Sequence, residues 1–142
     1  MENMQYTELA KQLAQKAHKG QTDKAGAPYF EHLEFIASRL NAYDEKTVAY
    51  LHDTIEDTYV TAEILGELFP AEIVQAVVAI TKIKGESYAS YLERVKKNRL
   101  SRAVKLVDLQ HNMMIERLPL PNERDFERVK KYSKAYEFLL KE

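Results

Sequence analysis

The sequence predicts an all-α fold, a helical bundle of about seven or eight helices, from the spacing of its apolar residues. Three observations carry that expectation. Apolar residues recur at three- and four-residue intervals along most of the chain, the period of a helix buried on one face. The four glycines and four prolines mostly punctuate those stripes. No stretch alternates apolar and polar residues as a half-buried strand does, and no internal repeat or low-complexity tract interrupts the pattern.

The first helix is expected over residues 7–19, with Leu9, Leu13 and Ala17 on one stripe and Gly20 as the stop. A polar loop, GQTDKAGAP, follows, and Pro28 starts a second helix over residues 29–40 carrying Leu33, Phe35, Ile36 and Leu40. Asp44 is the expected cap of a third helix through Val48, Leu51 and Ile55. Thr61 caps a short fourth helix that ends at Phe69-Pro70. The fifth, residues 71–82, is dense in Ile73, Val74, Val77, Val78 and Ile80, and is expected at the centre. A sixth carries Tyr88, Tyr91, Leu92 and Val95; Ser101 is the expected cap of a seventh reaching residue 118. The run LPLP then forces an extended elbow, because proline disfavours helix in the residue before it. An amphipathic helix over residues 123–140 closes the bundle.

At 142 residues the chain has the length of one domain, expected to span residues 1–142, and can bury a core unaided. A net charge of −1 provides no global basic field, so nucleic acid is not the expected partner. The absence of cysteine excludes disulfides and thiolate metal sites. No apolar run approaches the ~20 residues of a membrane span, and the N-terminus lacks a signal-peptide core. A soluble cytoplasmic protein is expected, without a membrane partner; self-association into a homo-oligomer stays open. The one local basic excess, RVKKNRLSRAVK, is either a solvated helix face or a phosphate-facing edge.

One short stretch is chemically crowded. LHDTIEDT places His52 beside Asp53 and adds Glu56 and Asp57 within the next turn. On a continuous helix, at about 100° per residue, all four project into one arc that overlaps the buried stripe of Val48 and Ile55. Three carboxylates in one arc repel one another unless a cation offsets them. Two further residues bear on this. His32 shares the apolar stripe of Phe35 and Ile36, and Asp108 sits in the apolar run VKLVDL, where an unpaired carboxylate is costly. Asp108, His111 and Asn112 share a helix face. One buried divalent ion explains His32, His52, Asp53 and Asp108 together, since two imidazoles and two carboxylates suit manganese, iron, zinc or magnesium.

The order H…HD…D formed by His32, His52-Asp53 and Asp108 resembles the HD superfamily of metal-dependent phosphohydrolases. The segments AHKGQTDKAGAPYFEH, LHDTIEDT and VKLVDLQHNM are similar to the motifs of the RelA/SpoT-type alarmone hydrolase domains and their small single-domain relatives. The similarity runs from about residue 7 to residue 118 and rests on three separated segments that agree in order and spacing.

The resemblance implies removal of the 3′-pyrophosphate of guanosine tetra- or pentaphosphate (ppGpp, pppGpp) with one bound Mn2+, another divalent metal being an alternative. It implies metal ligation by His32, His52, Asp53 and Asp108, and handling of the attacking water by Glu56 and Asp57. It places His18, Lys24, Tyr29 and Asn112 around a phosphorylated nucleotide, and the family's part in the stringent response comes with it. Nothing in the chain resembles the family's synthetase or regulatory domains, so hydrolysis alone is expected.

Two positions depart from the pattern. Leu33 follows His32 where the family has proline, a change of little expected consequence. Asp23 stands where the family carries an arginine beside the nucleotide, so an acid is expected to weaken polyanion binding and Asp23→Arg to raise kcat/KM toward ppGpp. The cations left to meet the phosphates are Lys24 and the stretch Arg94, Lys96, Lys97, Arg99 and Arg102. Two alternatives remain: an HD phosphohydrolase of another nucleotide phosphate, such as the 2′-phosphate of NADPH, and a non-catalytic nucleotide-sensing module. The costly buried charges argue against the second.

Overall fold

The computed structural model describes residues 1–141, the Ile115 side chain excepted. Helix α1 (Asn3–Ala17) begins four residues before its expected start, because Gln5 accepts a hydrogen bond from the Glu2 amide and extends the first turn. Helix α2 (Tyr29–Ser38) follows Pro28 as expected. Between them, residues 18–28 close into a tight loop. The amides of Ala25 and Ala27 both donate to the Asp23 carboxylate, and an isolated antiparallel bridge joins Thr22 to Pro28. Gly26, at φ +87°, takes a backbone conformation that a side chain would strain.

The third expected helix is divided. Helix α3 (Tyr43–Leu51) ends at His52, Asp53 turns the backbone at φ −108°, ψ 3°, and a single turn, α4 (Thr54–Asp57), resumes. Its cap is Ala42, satisfied by the Glu45 carboxylate, and Asp44 lies inside the first turn, bonding the Glu45 amide instead. Helix α5 (Ala62–Leu68) is capped by Thr61, whose hydroxyl accepts from the Ile64 amide, as expected.

Helix α6 (Ala71–Ile80) buries Ile73, Ala76, Val77 and Ile80 as expected of a core helix, whereas Val78 of the same apolar run is 46% exposed. Helix α7 (Tyr88–Lys97) runs into α8 (Arg99–Asn112), and Asn98 serves both. Its side chain caps α8 by accepting from the Ser101 amide. Ser101, expected as the cap, instead donates its hydroxyl to the Ala76 carbonyl of α6. Helix α8 also stops six residues short of the expected end, giving way to a 3-10 turn (Ile115–Arg117) before LPLP. Asn122 then caps α9 (Glu123–Leu140).

The architecture is all-α. Helix α8 occupies the centre, packed against α2, α3, α6, α7 and α9, while α3 packs against α1, α2, α6 and α8. Leu33, Ile36, Val48, Leu51, Val77, Val104 and Leu109 are fully buried in one continuous core. Each such side chain contributes about 1.5–3 kcal/mol of transfer free energy relative to exposure. That core fixes α2, α3 and α8 side by side, the three helices that carry His32, His52 and Asp108.

Candidate active site

Three helices deliver one cluster. His32 is buried on α2, His52 is buried at the end of α3, and Asp108 is buried on α8. Asp53 sits at the break between α3 and α4, partly exposed. One ligand atom from each of His32, His52 and Asp53 lies within 4.8 Å of the others. The Asp108 carboxylate completes the group, its Oδ1 2.8 Å from His32 Nε2 and 3.5 Å from His52 Nε2. The cluster can hold a divalent metal ion, and one detail supports that fit. His52 Nδ1 donates to the Ala49 carbonyl at 2.7 Å, so neutral His52 presents a bare Nε2 lone pair to the cluster. Among the described residues that buried nitrogen has no hydrogen-bond partner, although Asp53 Oδ2 lies 3.2 Å away. A lone pair facing carboxylate oxygens is a donor set that a cation satisfies.

The break after Asp53 alters the arc expected from a continuous helix. Glu56 and Asp57 turn to the exposed side, yet one oxygen of each still lies within 4.8 Å of an Asp53 oxygen. Ligand candidates thus lie inside and the acidic pair lies at the solvent edge.

The charges inside are balanced by a residue that sequence reasoning left in the basic run. Lys105, one turn before Asp108, places Nζ 3.0 Å from Asp108 Oδ2. Burial is the largest single influence on the Lys105 ammonium and works against it, but the Asp108 carboxylate together with the Tyr91 and Tyr88 hydroxyls outweighs it and holds the group well above the ordinary lysine range. Burial likewise pushes Asp108 up, but the Lys105 ammonium, the hydrogen bond from His32 and the neighbouring His52 hold it well below the usual carboxylate range. Asp53 is raised well above that range, first by burial and then by the Asp108 charge. Only its spacing of three from Asp108 hinted at the role of Lys105.

Arg94, Lys96, Arg99 and Arg102 of the basic run are engaged away from the cluster. Arg94 is bound to Glu86 and to the carbonyls of Ala79 and Thr81. Arg99 reaches Asp44 and Glu72, Arg102 bonds the carbonyls of Leu139 and Lys141, and Lys96 lies over the Phe138 ring.

Around the cluster, His18 is buried at the end of α1 and bonds Gln21 through Nδ1 at 2.8 Å. Gln21 in turn donates to the Asp57 carbonyl, which ties the loop to α4. Tyr29 packs beside the His18 ring and donates its hydroxyl to Asp53. Asn112 donates to Asp108 Oδ1 at 3.2 Å. Lys24 is exposed on the loop; its pKa is lowered, by burial first and then by the Arg128 guanidinium of α9.

Asp23 requires a correction. It is not an unpaired acid repelling an anion, because its carboxylate binds Arg117 across 94 residues at 2.5 Å and anchors two loop amides. An arginine at position 23 sets two guanidinium groups together and frees both amides. The expected gain from Asp23→Arg therefore has no physical basis.

His111 on α8 is a second residue without a sequence-assigned role. Its Nδ1 lies 2.6 Å from His32 Nδ1, and Phe35 stacks on its ring at 4.1 Å. Burial, then the neighbouring His32, push its pKa down to about 4. His18 is also lowered, chiefly by burial. Both histidines have depressed folded pKa values, so the unfolded chain takes up protons first. Their stabilisation is complete above the ordinary histidine pKa near 6.5 and declines as pH falls toward 4. For His111 this amounts to at most about 3 kcal/mol. Asp108 loses stability in the same direction on acidification, whereas the raised Asp53 opposes it. Urea denaturation of metal-free protein from pH 7.5 to 5 should show the decline, and His111→Phe should make it shallower.

A helical domain built around a buried histidine–aspartate cluster is the class that this fold and site define. The chain belongs to the HD domain family, whose model matches residues 10–114. Over 116 residues it is 37% identical to a GTP pyrophosphokinase of Myxococcus xanthus, covering 69% of this chain and 15% of that protein. It is 36% identical over 115 residues to a GTP pyrophosphokinase of Brucella melitensis, covering 70% of this chain and 15% of that one. A probable chloroplastic GTP diphosphokinase of Oryza sativa is 34% identical over 137 residues, covering 80% and 19%. The chain thus spans less than a fifth of the length of these relatives. Its fold is similar to that of a metazoan ortholog of SpoT, described as hydrolysing ppGpp and acting in starvation responses. The TM-score is 0.78 at 19% identity, covering 96% of this chain and 85% of that one. Among the described residues no helix is long and apolar enough to cross a membrane.

Proposed function

We propose that this chain is a cytoplasmic, manganese-dependent phosphohydrolase that removes the 3′-pyrophosphate of ppGpp and pppGpp. The observation that carries the reading is the convergence of His32, His52, Asp53 and Asp108, with the carboxylates of Glu56 and Asp57 at its open edge. The first four are the proposed ligands. A bound divalent ion supplies Lewis acidity for charge developing on phosphoryl oxygens.

The protein's own groups supply the rest. Glu56 or Asp57 takes a proton from water as its oxygen attacks the phosphorus attached to the ribose 3′-oxygen. The bond from that phosphorus to the 3′-oxygen breaks, the ribose oxygen regains a proton, and pyrophosphate leaves. Tyr29 holds the Asp53 carboxylate, and Lys105 cancels the outer charge of Asp108. His18, Tyr29, Lys24 and Asn112 border the nucleotide in this reading. Arg128 beside Lys24 is paired with Asp125, which leaves Lys24 as the loop cation proposed to meet the polyphosphate. The GTP pyrophosphokinase names of the relatives and the ppGpp hydrolysis described for the structural neighbour support the same substrate class.

Incubating Mn2+-loaded protein with ppGpp, pppGpp, NADPH and a panel of nucleotide phosphates tests the reading. Release of pyrophosphate from ppGpp is expected. Release of orthophosphate from NADPH, with ppGpp untouched, replaces the alarmone substrate with the broader phosphohydrolase alternative.

A further inference from the structure

We infer that His111 is a positioning residue for the candidate metal centre: its Nδ1 accepts the hydrogen that His32 must carry when His32 Nε2 faces a cation. The inference rests on the metal reading above.

The geometry is specific. His32 and His111 are both buried, and their Nδ1 atoms are 2.6 Å apart although the residues are 79 positions apart in sequence. Their ring centroids are 4.8 Å apart and the planes differ by 17°. With the Nδ1 atoms so close, the rings meet nearly edge to edge, as an N–H···N hydrogen bond requires. Phe35 covers one face of His111 at 4.1 Å and 17°, which holds the ring in that plane.

Two neutral imidazoles meeting at Nδ1 share one hydrogen there. When His32 Nε2 offers its lone pair to a cation, the hydrogen of the neutral ring must sit on Nδ1. A buried N–H without an acceptor is costly, and His111 Nδ1 is the atom in reach. His111 then carries its own hydrogen on Nε2. Without a cation the bond runs the other way: His111 Nδ1 donates to His32 Nδ1, and His32 Nε2 donates to Asp108 Oδ1 at 2.8 Å. Each arrangement contains two imidazole hydrogens. Exchanging one for the other moves a hydrogen within each ring and releases none from the pair.

A role in packing alone predicts a different result. His111→Phe keeps an aromatic ring against Phe35 but removes the acceptor, whereas His111→Asn places an amide oxygen close to the position of Nδ1. Mn2+ binding to the full chain, followed by calorimetry with thermal unfolding in parallel, separates the two roles. His111→Phe should bind Mn2+ about 10–100-fold more weakly than wild type, and His111→Asn should recover most of the loss. In 15N NMR spectra of the wild type loaded with diamagnetic Zn2+, His32 should carry its hydrogen on Nδ1. A folded His111→Phe that binds Mn2+ as tightly as wild type overturns the inference. So does a zinc-loaded wild type in which His32 Nδ1 carries no hydrogen, a measurement that decides the matter even if His111→Phe does not fold. Wild-type protein that takes up neither ion overturns the metal reading itself.

Discussion

Replacing His52 by Ala, or Asp53 by Asn, is expected to abolish Mn2+ uptake and reduce hydrolysis to the uncatalysed background. His52 Nε2 is a buried lone pair with no hydrogen-bond partner among the described residues, and Asp53 is held toward it by the Tyr29 hydroxyl. Removing either leaves fewer than the four converging donors on which the site depends. Glu56→Gln should behave differently. Glu56 lies at the exposed edge, so its amide substitute leaves the inner donors in place. Metal content should stay at the wild-type level while turnover falls about 10²–10⁴-fold, the usual contribution of a positioned acid or base. Metal content and rate measured on the same samples distinguish the two classes. A Glu56→Gln variant with undiminished turnover removes Glu56 from the proton-handling role.

The second large effect is on stability. Lys105→Met leaves the Asp108 carboxylate buried without the ammonium that offsets its charge at 3.0 Å. Breaking one partner of a buried pair costs about 3–5 kcal/mol, since the remaining charge has neither water nor a counter-ion. Chemical denaturation of metal-free Lys105→Met should show that loss. The double variant Lys105→Met/Asp108→Asn should recover much of it, because the neutral amide no longer needs the cation. Equal stability of Lys105→Met and wild type contradicts the charge balance described for this site.

The two sets of variants separate features that differed in how plainly the sequence displayed them. The helices were legible because their signals are local. Apolar spacing within α2 and α8, Pro28 before α2 and Thr61 before α5 act over one or two turns. Where two local choices competed, the outcome was less visible. Asn98 took the cap expected of Ser101 because Ser101 found a carbonyl on another helix. The arc drawn through His52, Asp53, Glu56 and Asp57 assumed an unbroken helix, and the backbone turn at Asp53 divided it into an inner and an outer half.

An all-helical chain, and a set of histidines and acids whose burial required a counter-charge, were both readable from residue order. Periodicity and the cost of unpaired charge are properties of short segments, so both can be read in one dimension. Which groups pair with which was set by the packing of the helices. It brought His32 to Asp108 across 76 positions and to His111 across 79, and joined Asp23 to Arg117 across 94. It also turned Lys105 inward while its basic neighbours bound carbonyls, acids and an aromatic ring elsewhere. A charge reads the same in sequence whether it meets water or a buried partner. The packing of α2, α3 and α8 around one core chooses between those environments, through contacts that no local pattern encodes.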